Sequence, residues 1–592
     1  MIHIDTDVLV VGSGGAGMRA AAEASDGCFV TVMSKGFSGF DGATVTAQAD
    51  VAVDSAFCSD RLGLDGDACD STDKFAEDML REGEFLADEA LVATHVENVG
   101  NEVLRLRESG VHVLGLVQNP GHSFPRGVWM SGVEICKNLK KAMLRIPSIR
   151  VLDCTVLIDV LTKDGEAVGA VGFDLLSGES VYVSSKAVVL CCGGAMGLYP
   201  FVTAPDGLSG DGMAAAFRAG AELVDMEFPM FLPYSVLKPD IISGVTFTHD
   251  LAMTLDVRAL NREGKRYMEQ WDPKRLEHTT RDINAAAAGY EIFSGRGSEN
   301  GGVYLSLTHI PQNIIEYSSK WFPETIANWR CGGFDLKKYL PDMTKNAIET
   351  IPACHFWNGG IKIDASGATS VPGLFAGGEG TGSLHGANRI SGNGVAQALV
   401  WGAVAGRNAS AWAKRKRRSY VPAVKNMTAT AKEKTSFIFE NGTENPIEIN
   451  RELKNKAWKN IGLVRTEETL SNFMTDIRGI EERIGAQGIR EKFIKGNRDC
   501  LLLIQNRNLI NIALMVCVAA QKRRESRGAH FRYDYKETDD RIWLKNTVLA
   551  LKKGALSVRA VPANNSRGRS NSLMKRRYGE KEITDKCETR IQ

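Results

Sequence analysis

The chain has 592 residues, 43% hydrophobic and 24% charged, a balance that excludes a disordered, collagenous or small disulfide-stapled protein. Its 72 basic and 71 acidic side chains leave a net charge of +1, so no global basic field favours nucleic acid or an anionic membrane. At roughly 150 residues per domain the length suits three to four domains. The 60 glycines are the outlier and point to close backbone approaches of the kind nucleotide-binding folds need.

In chain order, residues 1–6 carry no basic stretch followed by an apolar one, so no secretory leader is expected and a cytoplasmic location is. The apolar run over 7–11 predicts a buried parallel strand. Gly12-Ser13-Gly14-Gly15-Ala16-Gly17 follows, then a helix over 18–24 and a second strand over 29–33. In this G-x-G-x-x-G context Gly12 allows a tight turn, Gly14 a close approach to a pyrophosphate, and Gly17 helix-on-strand packing. The pyrophosphate would sit on the helix N-terminus beside Gly14 and Gly15. The acid that would favour NAD at the end of the second strand is missing. Ser34-Lys35 stands there, and Ser34 is the candidate for a ribose hydroxyl.

Strands over 187–190 and 374–376 each run into a glycine cluster, one containing Gly193 and the other Glu379. Ser209-Gly210-Asp211-Gly212-Met213 opens a helix through 220, and another helix follows Gly394. Three Gly-lined strand ends suit a long two-part ligand lying across the sheet, as FAD does, with Glu379 accepting from a flavin-side hydroxyl. The stretch 226–350 is richer in aromatics and turns, and the basic run 414–418 marks a boundary. Helices with charged faces are expected over 428–525, among them an amphipathic one over 501–520, and an extended tail over the last ~50 residues. No internal repeat is found. No window of ~18 uninterrupted apolar residues occurs. The basic runs 414–418 and 575–577 read as solvated faces, so no nucleic-acid partner is expected. The twelve cysteines form no C-x-x-C pair, and only Cys191 and Cys192 are adjacent. That predicts reduced thiols and no metal or iron–sulfur cluster in this chain.

The chain resembles the flavoprotein subunit of the succinate dehydrogenase/fumarate reductase family, with L-aspartate oxidase and adenylylsulfate reductase as relatives. The likeness rests on residues 12–17, Thr44-Val45-Thr46-Ala47-Gln48, Gly210-Asp211-Gly212 with Asp225-Met226-Glu227, and Asn261-Arg262-Glu263-Gly264-Lys265-Arg266. It continues in Thr280-Arg281-Asp282, His355 with Gly359-Gly360, His385-Gly386-Ala387-Asn388-Arg389 and Glu525-Ser526-Arg527-Gly528-Ala529-His530. It implies an α/β architecture: a Rossmann-like FAD-binding domain over 1–225 and 351–412, an inserted α+β capping domain over 226–350, a helical domain over 428–538 and a C-terminal extension over 539–592. Lys35, Thr44, Ala47, Gln48, Gly193, Asp211, Asn388, Ser391 and Asn393 are the implied further cofactor contacts.

The implied activity moves hydride between flavin N5 and a carbon beside a carboxylate. Arg281 is the matching proton-transfer residue; Arg389 and His355 hold the carboxylate. Fixed cations there stabilise charge that grows in the transition state. Because Arg stays protonated, a proton role needs a relay acid. The Thr-Glu-x-x-Arg relay falls on His249-Asp250 with Met253 in place of Arg, so Asp250 is the candidate acid. The family's usual His is Leu232, which disfavours a second carboxylate at that end: fumarate is expected to be a poor substrate and Leu232→His to improve it. Ala43 stands where membrane-bound members attach FAD, so FAD should be noncovalent. Gly121-His122-Ser123-Phe124-Pro125-Arg126 resembles a loop of L-aspartate oxidase near the flavin, with a surface turn fixed by Pro125 an equal alternative. The resemblance further implies a separate iron–sulfur subunit, with membrane contact, at the inner face, only through partners. An adenylylsulfate-reductase-like or L-aspartate-oxidase-like activity is the close alternative. A non-catalytic flavin-binding assembly subunit is the alternative of another class, opposed by the intact Arg281, His355 and Arg389.

Overall fold

The computed structural model describes residues 1–246, 249, 252, 255–315, 342–416, 424–491, 493–566 and 575–577. Asp250 and Met253 lie outside the described residues, as do Arg417 and Arg418.

A five-stranded parallel sheet forms the base. Its order is Leu374–Ala376, Ala187–Leu190, Val8–Val11, Val30–Met33 and Ile149–Leu152. Val8–Val11 is buried on both faces, which is why four consecutive aliphatic residues mark it. Helices Gly15–Ala24 and Asn393–Arg415 pack together over it. An antiparallel layer of Thr155–Lys163, Glu166–Asp174 and Glu179–Ser184 takes Ile2–Asp5 as a parallel fourth strand.

The cap is a four-stranded antiparallel sheet, ordered Pro229–Val236, Ile348–Trp357, Val303–Ser306 and Arg258–Leu260, with helix Arg281–Phe293 packed on it around a separate core. Strand Ile348–Trp357 runs straight through the expected boundary at 350, carrying His355 from the cap sheet to the base. Helices Pro446–Ile461, Glu467–Gly485 and Arg498–Lys522 form the helical domain.

Two expectations need correction. Helix Arg498–Lys522 is not amphipathic on a surface: it is buried nearly all round. It is long and apolar enough to cross a membrane by length and composition, yet 67% of its most apolar stretch is buried inside the protein. The first part of the expected tail is instead a hairpin, Lys545–Lys552 with Ala555–Pro562, whose first strand adds to Leu223–Val224. A fully buried ion network of Arg523, Glu227, Glu525, Arg527 and Asp540 ties these parts together. Each charge in it meets at least one opposite charge, the condition for tolerating such burial.

Candidate active site

One cavity of about 980 Å³ runs from the carboxyl ends of the parallel strands to the underside of the cap. Its size matches pockets that enclose a cofactor or drug-sized ligand, about 300–1,000 Å³. One end is lined by Gly12, Ser13, Gly14 and Gly15, the other by Leu232, His249, Arg281, His355 and Arg389.

At the first end, Gly12 sits at φ +105°, and a Cβ there would stand 2.2 Å from the Cys191 carbonyl oxygen. A Cβ on Gly17 would stand 1.9 Å from the Gly12 carbonyl oxygen, so helix and turn meet backbone to backbone. Gly14 caps helix Gly15–Ala24 without a side-chain hydrogen bond, leaving its first N–H groups and positive pole toward the cavity. Gly15 N–H donates to Thr44 Oγ1 at 3.3 Å. These residues fit a pyrophosphate. Ser34 is 2.5 Å from Ser13, hydroxyl to hydroxyl, at the wall where a ribose would lie. Lys35 donates to Asp211 at 2.6 Å and Ser209 at 3.3 Å. Burial pushes the Asp211 carboxyl up, but Lys35 with Ser209 and Asn508 holds it below the ordinary range.

In the middle, Glu379 accepts from the Trp357 backbone N–H at 3.1 Å, and burial pushes its carboxyl up to about 7. Ala43, Ala47, Gln48 and Gly193 line the same space. The wall therefore fits a complete FAD, with Gly12–Gly15 and Thr44 at the pyrophosphate and Glu379 beyond it.

At the far end, Arg281 is the first residue of the cap helix Arg281–Phe293, so its charge adds to the helix's positive pole. Its Nη2 donates to Ser391 Oγ at 3.0 Å, and its Nε donates to His249 Nε2 at 3.2 Å. Accepting at Nε2 puts the neutral ring's proton on Nδ1, which is buried with no partner among the described residues. Burial and then Arg281 push the His249 pKa well down, so the ring stays neutral. His355 pairs through Nδ1 with Thr203 Oγ1 at 2.7 Å, and burial followed by Arg389 keeps it neutral too. Arg389 lies over the Phe356 ring at 4.4 Å; its Nη1 makes a long 3.4 Å bond to the Ile390 carbonyl, and its Nε has no partner among the described residues. Burial and Arg281 pull the Arg389 pKa down to about 9, against the opposing pull of Asp50 and Glu379. A buried guanidinium so placed binds anions.

Arg281, His355 and Arg389, the three described members of the expected catalytic set, thus share one wall. Of the expected cofactor contacts, Gly17, Asn388, Ser391 and Asn393 stand off the cavity lining. Asn388 donates to Asp282 at 3.3 Å, tying cap to base. Asn393 is 2.8 Å from His95 Nε2 and donates to the Ser391 carbonyl at 3.2 Å, so it is spent on holding that loop. The 121–126 loop is neither a surface turn nor a cavity wall. Arg126 is fully buried against Asp70 and Asp78, and His122 Nε2 lies 2.9 Å from the Ser391 carbonyl. Sequence reading missed His249, Thr203 and Asp50 as site residues; only the register that placed His249 beside Asp250 hinted at one of them.

Residues 7–395 match the FAD binding domain family, and residues 450–578 match the fumarate reductase flavoprotein C-terminal family. The chain belongs to the fumarate reductase/succinate dehydrogenase flavoprotein family. It is 33% identical over 548 residues to one subunit of the fumarate reductase (CoM/CoB) of Methanothermobacter marburgensis, covering 90% of this chain and 95% of that one. It is 30% identical over 559 residues to an L-aspartate oxidase of Yersinia pestis, covering 90% and 96%. Among solved structures, a quinol fumarate reductase flavoprotein of E. coli superposes with a TM-score of 0.85 at 26% identity, covering 98% of this chain and 100% of that one. Adenylylsulfate reductase of Archaeoglobus fulgidus shares the fold, with a TM-score of 0.73 at 16% identity over 95% of this chain and 96% of that one. The chain is accordingly an FAD-dependent oxidoreductase of fumarate reductase/succinate dehydrogenase type. The fumarate reductases among these relatives are named as subunits.

Proposed function

We propose that this flavoprotein reduces a small unsaturated dicarboxylate, with fumarate the first candidate, using electrons from a separate iron–sulfur subunit. The observation that carries the reading is Arg389, a buried guanidinium whose Nε has no partner among the described residues, facing the same cavity as Arg281, His355 and His249. The bound FAD supplies hydride transfer. Arg389 and His355 hold one carboxylate beside the reacting carbon, and Arg281 moves the proton at the neighbouring carbon. His249 Nδ1–H is the donor for the second carboxylate. It stands in for the donor that Leu232 lacks, so the expectation of poor fumarate turnover is not carried forward. The partner is supported by the subunit names of the relatives and by the absence of C-x-x-C spacing in this sequence.

One observation favours a second reading. Leu232 is buried and lines the cavity, which suits a monocarboxylate with an apolar far end. Oxidation of reduced viologen by fumarate and by crotonate separates the two. On the first reading fumarate is preferred, and His249→Ala lowers kcat/KM for fumarate ~10–100-fold, the loss of one hydrogen bond to a charged group, while sparing crotonate. Preference for crotonate, with Leu232→His raising fumarate turnover, would replace the dicarboxylate by the monocarboxylate.

A further inference from the structure

Arg281 has a second route to an acid, on the base of the cleft. Its Nη2 donates to Ser391 Oγ at 3.0 Å, and Ser391 Oγ–H donates to Asp50 Oδ2 at 2.9 Å. Asn119 Nδ2 donates to the same Asp50 oxygen at 2.8 Å. Asp50 is half-buried and lines the cavity. It lies in strand Gln48–Ala52, opposite Trp129 of strand Gly127–Ser131, which fixes its direction. Ser391 is fixed independently: its carbonyl takes Asn393 Nδ2 at 3.2 Å and lies 2.9 Å from His122 Nε2. His122 is in turn 3.4 Å from the buried Arg126. Three segments distant in sequence therefore converge on one hydrogen-bonded line.

We propose that Asp50, acting through the Ser391 hydroxyl, is the acid–base group that restores the Arg281 proton. The inference rests on the reading that Arg281 delivers the proton to substrate. In the resting state the bonds point from Arg281 to Ser391 to Asp50, the pattern of a charged guanidinium and an ionised carboxylate. When Arg281 gives up a proton, the Asp50 carboxylate takes one from solvent and the line reverses. Protonated Asp50 donates to Ser391 Oγ, Ser391 passes its own hydrogen to Arg281 Nη2, and Asp50 is left ionised. One O–H bond breaks at Asp50 and one N–H bond forms at Arg281, which returns both groups to their resting charges. The charged and titratable groups facing Asp50 are Arg281 through Ser391, Arg389, and His122 from the 121–126 loop; Asn119 and Ser391 are its neutral partners. Ser391 and Asp50 are positioning and relay groups here, since neither needs to touch substrate.

The test is steady-state reduction, across pH 5–9, of the acid the wild-type holoenzyme reduces fastest from a panel of unsaturated acids, in Asp50→Asn, Ser391→Ala, Asp50→Glu and the double variant. FAD content is measured in each. Asp50→Asn is expected to lower kcat on the order of 10²-fold, with KM within about twofold. Ser391→Ala should do the same although Asp50 is intact, and the double variant should fall no further than either single, as groups acting in one line do. Asp50→Glu should recover part of kcat. Wild-type kcat in both single variants would overturn the relay, as would additive losses in the double. Arg281→Lys separates the layers: if it alone abolishes turnover, Arg281 carries the proton and only the relay has failed. If it turns over normally, the underlying reading has failed.

Discussion

Replacing Arg389 by Met should cost activity and spare or raise stability. The guanidinium is 5% exposed, lies over Phe356, and has been pulled down to about 9, first by burial and then by Arg281. The fall corresponds to a few kcal/mol at ~1.4 kcal/mol per pKa unit, charged against the folded state because both folded and unfolded forms remain protonated at neutral pH. Asp50 and Glu379 already offset part of it. A Met, which ends about where the arginine Nε lies, keeps the apolar stem and removes the charge. The substrate carboxylate then faces an apolar wall. Losing its charge-assisted hydrogen bonds costs about 1.5–3 kcal/mol each, so kcat/KM should fall by roughly 10²–10⁴-fold. Two measurements check this on holoenzyme of equal FAD content: viologen-linked turnover, and thermal melting with and without saturating succinate. Wild type should gain about 2.7 kcal/mol of apparent stability at a hundredfold excess over Kd, and Arg389→Met should gain almost none while melting at or above the free wild type. A variant that melts well below wild type and still shifts with succinate would refute the placement of the anion on Arg389.

Three further outcomes follow. FAD should be released in full by acid precipitation, leaving a colourless pellet, because Ala43 on the cavity wall offers no atom for attachment; flavin fluorescence that migrates with the chain on denaturing electrophoresis would contradict it. Arg281→Lys should lower kcat about 10²–10³-fold with FAD retained, since Arg281 sits on the cap helix and not in the dinucleotide turn; near wild-type turnover would remove it from the chemistry. Glu379 stays protonated to about 7 in the folded chain while an unfolded Glu ionises near ~4. Its contribution to stability is therefore complete below ~4 and lost as pH rises to 7. Glu379→Gln should flatten the fall in melting temperature of the FAD-stripped protein across that window, and an unchanged slope would show that another group carries it.

Three strands of the base sheet were legible because they are short, apolar and run into a glycine cluster: 187–190 and 374–376 match the observed strands residue for residue, whereas Ile149–Leu152, interrupted by Arg150 and not followed by glycine, was not legible. Helix Arg498–Lys522 misled because its polar residues read as a solvent face. They are satisfied inside instead. Asn506 donates to the Pro446 carbonyl at 2.9 Å and to Gln487 at 3.0 Å, and Asn508 donates to Asp211 at 2.8 Å while accepting from Arg218 at 3.0 Å. Such partners come from other elements, and no periodicity within the helix carries them. The C-terminal hairpin escaped for a similar reason: its pairing partner is the two-residue strand Leu223–Val224, too short to signal itself.

The catalytic wall shows the same limit in chemical terms. Arg281, His355 and Arg389 were found by position, each inside a local motif. Asp50, Ser391 and His249 are instead joined to Arg281 by hydrogen bonds between distant segments, with separations of 341 and 110 residues for the two bonds at Ser391. Reading position 232 alone shows a lost donor; the structure adds, among the cavity-lining residues, an imidazole at 249 whose buried Nδ1 has no partner among the described residues. A carboxylate responds to the field and the donors it meets, not to the chain address they come from.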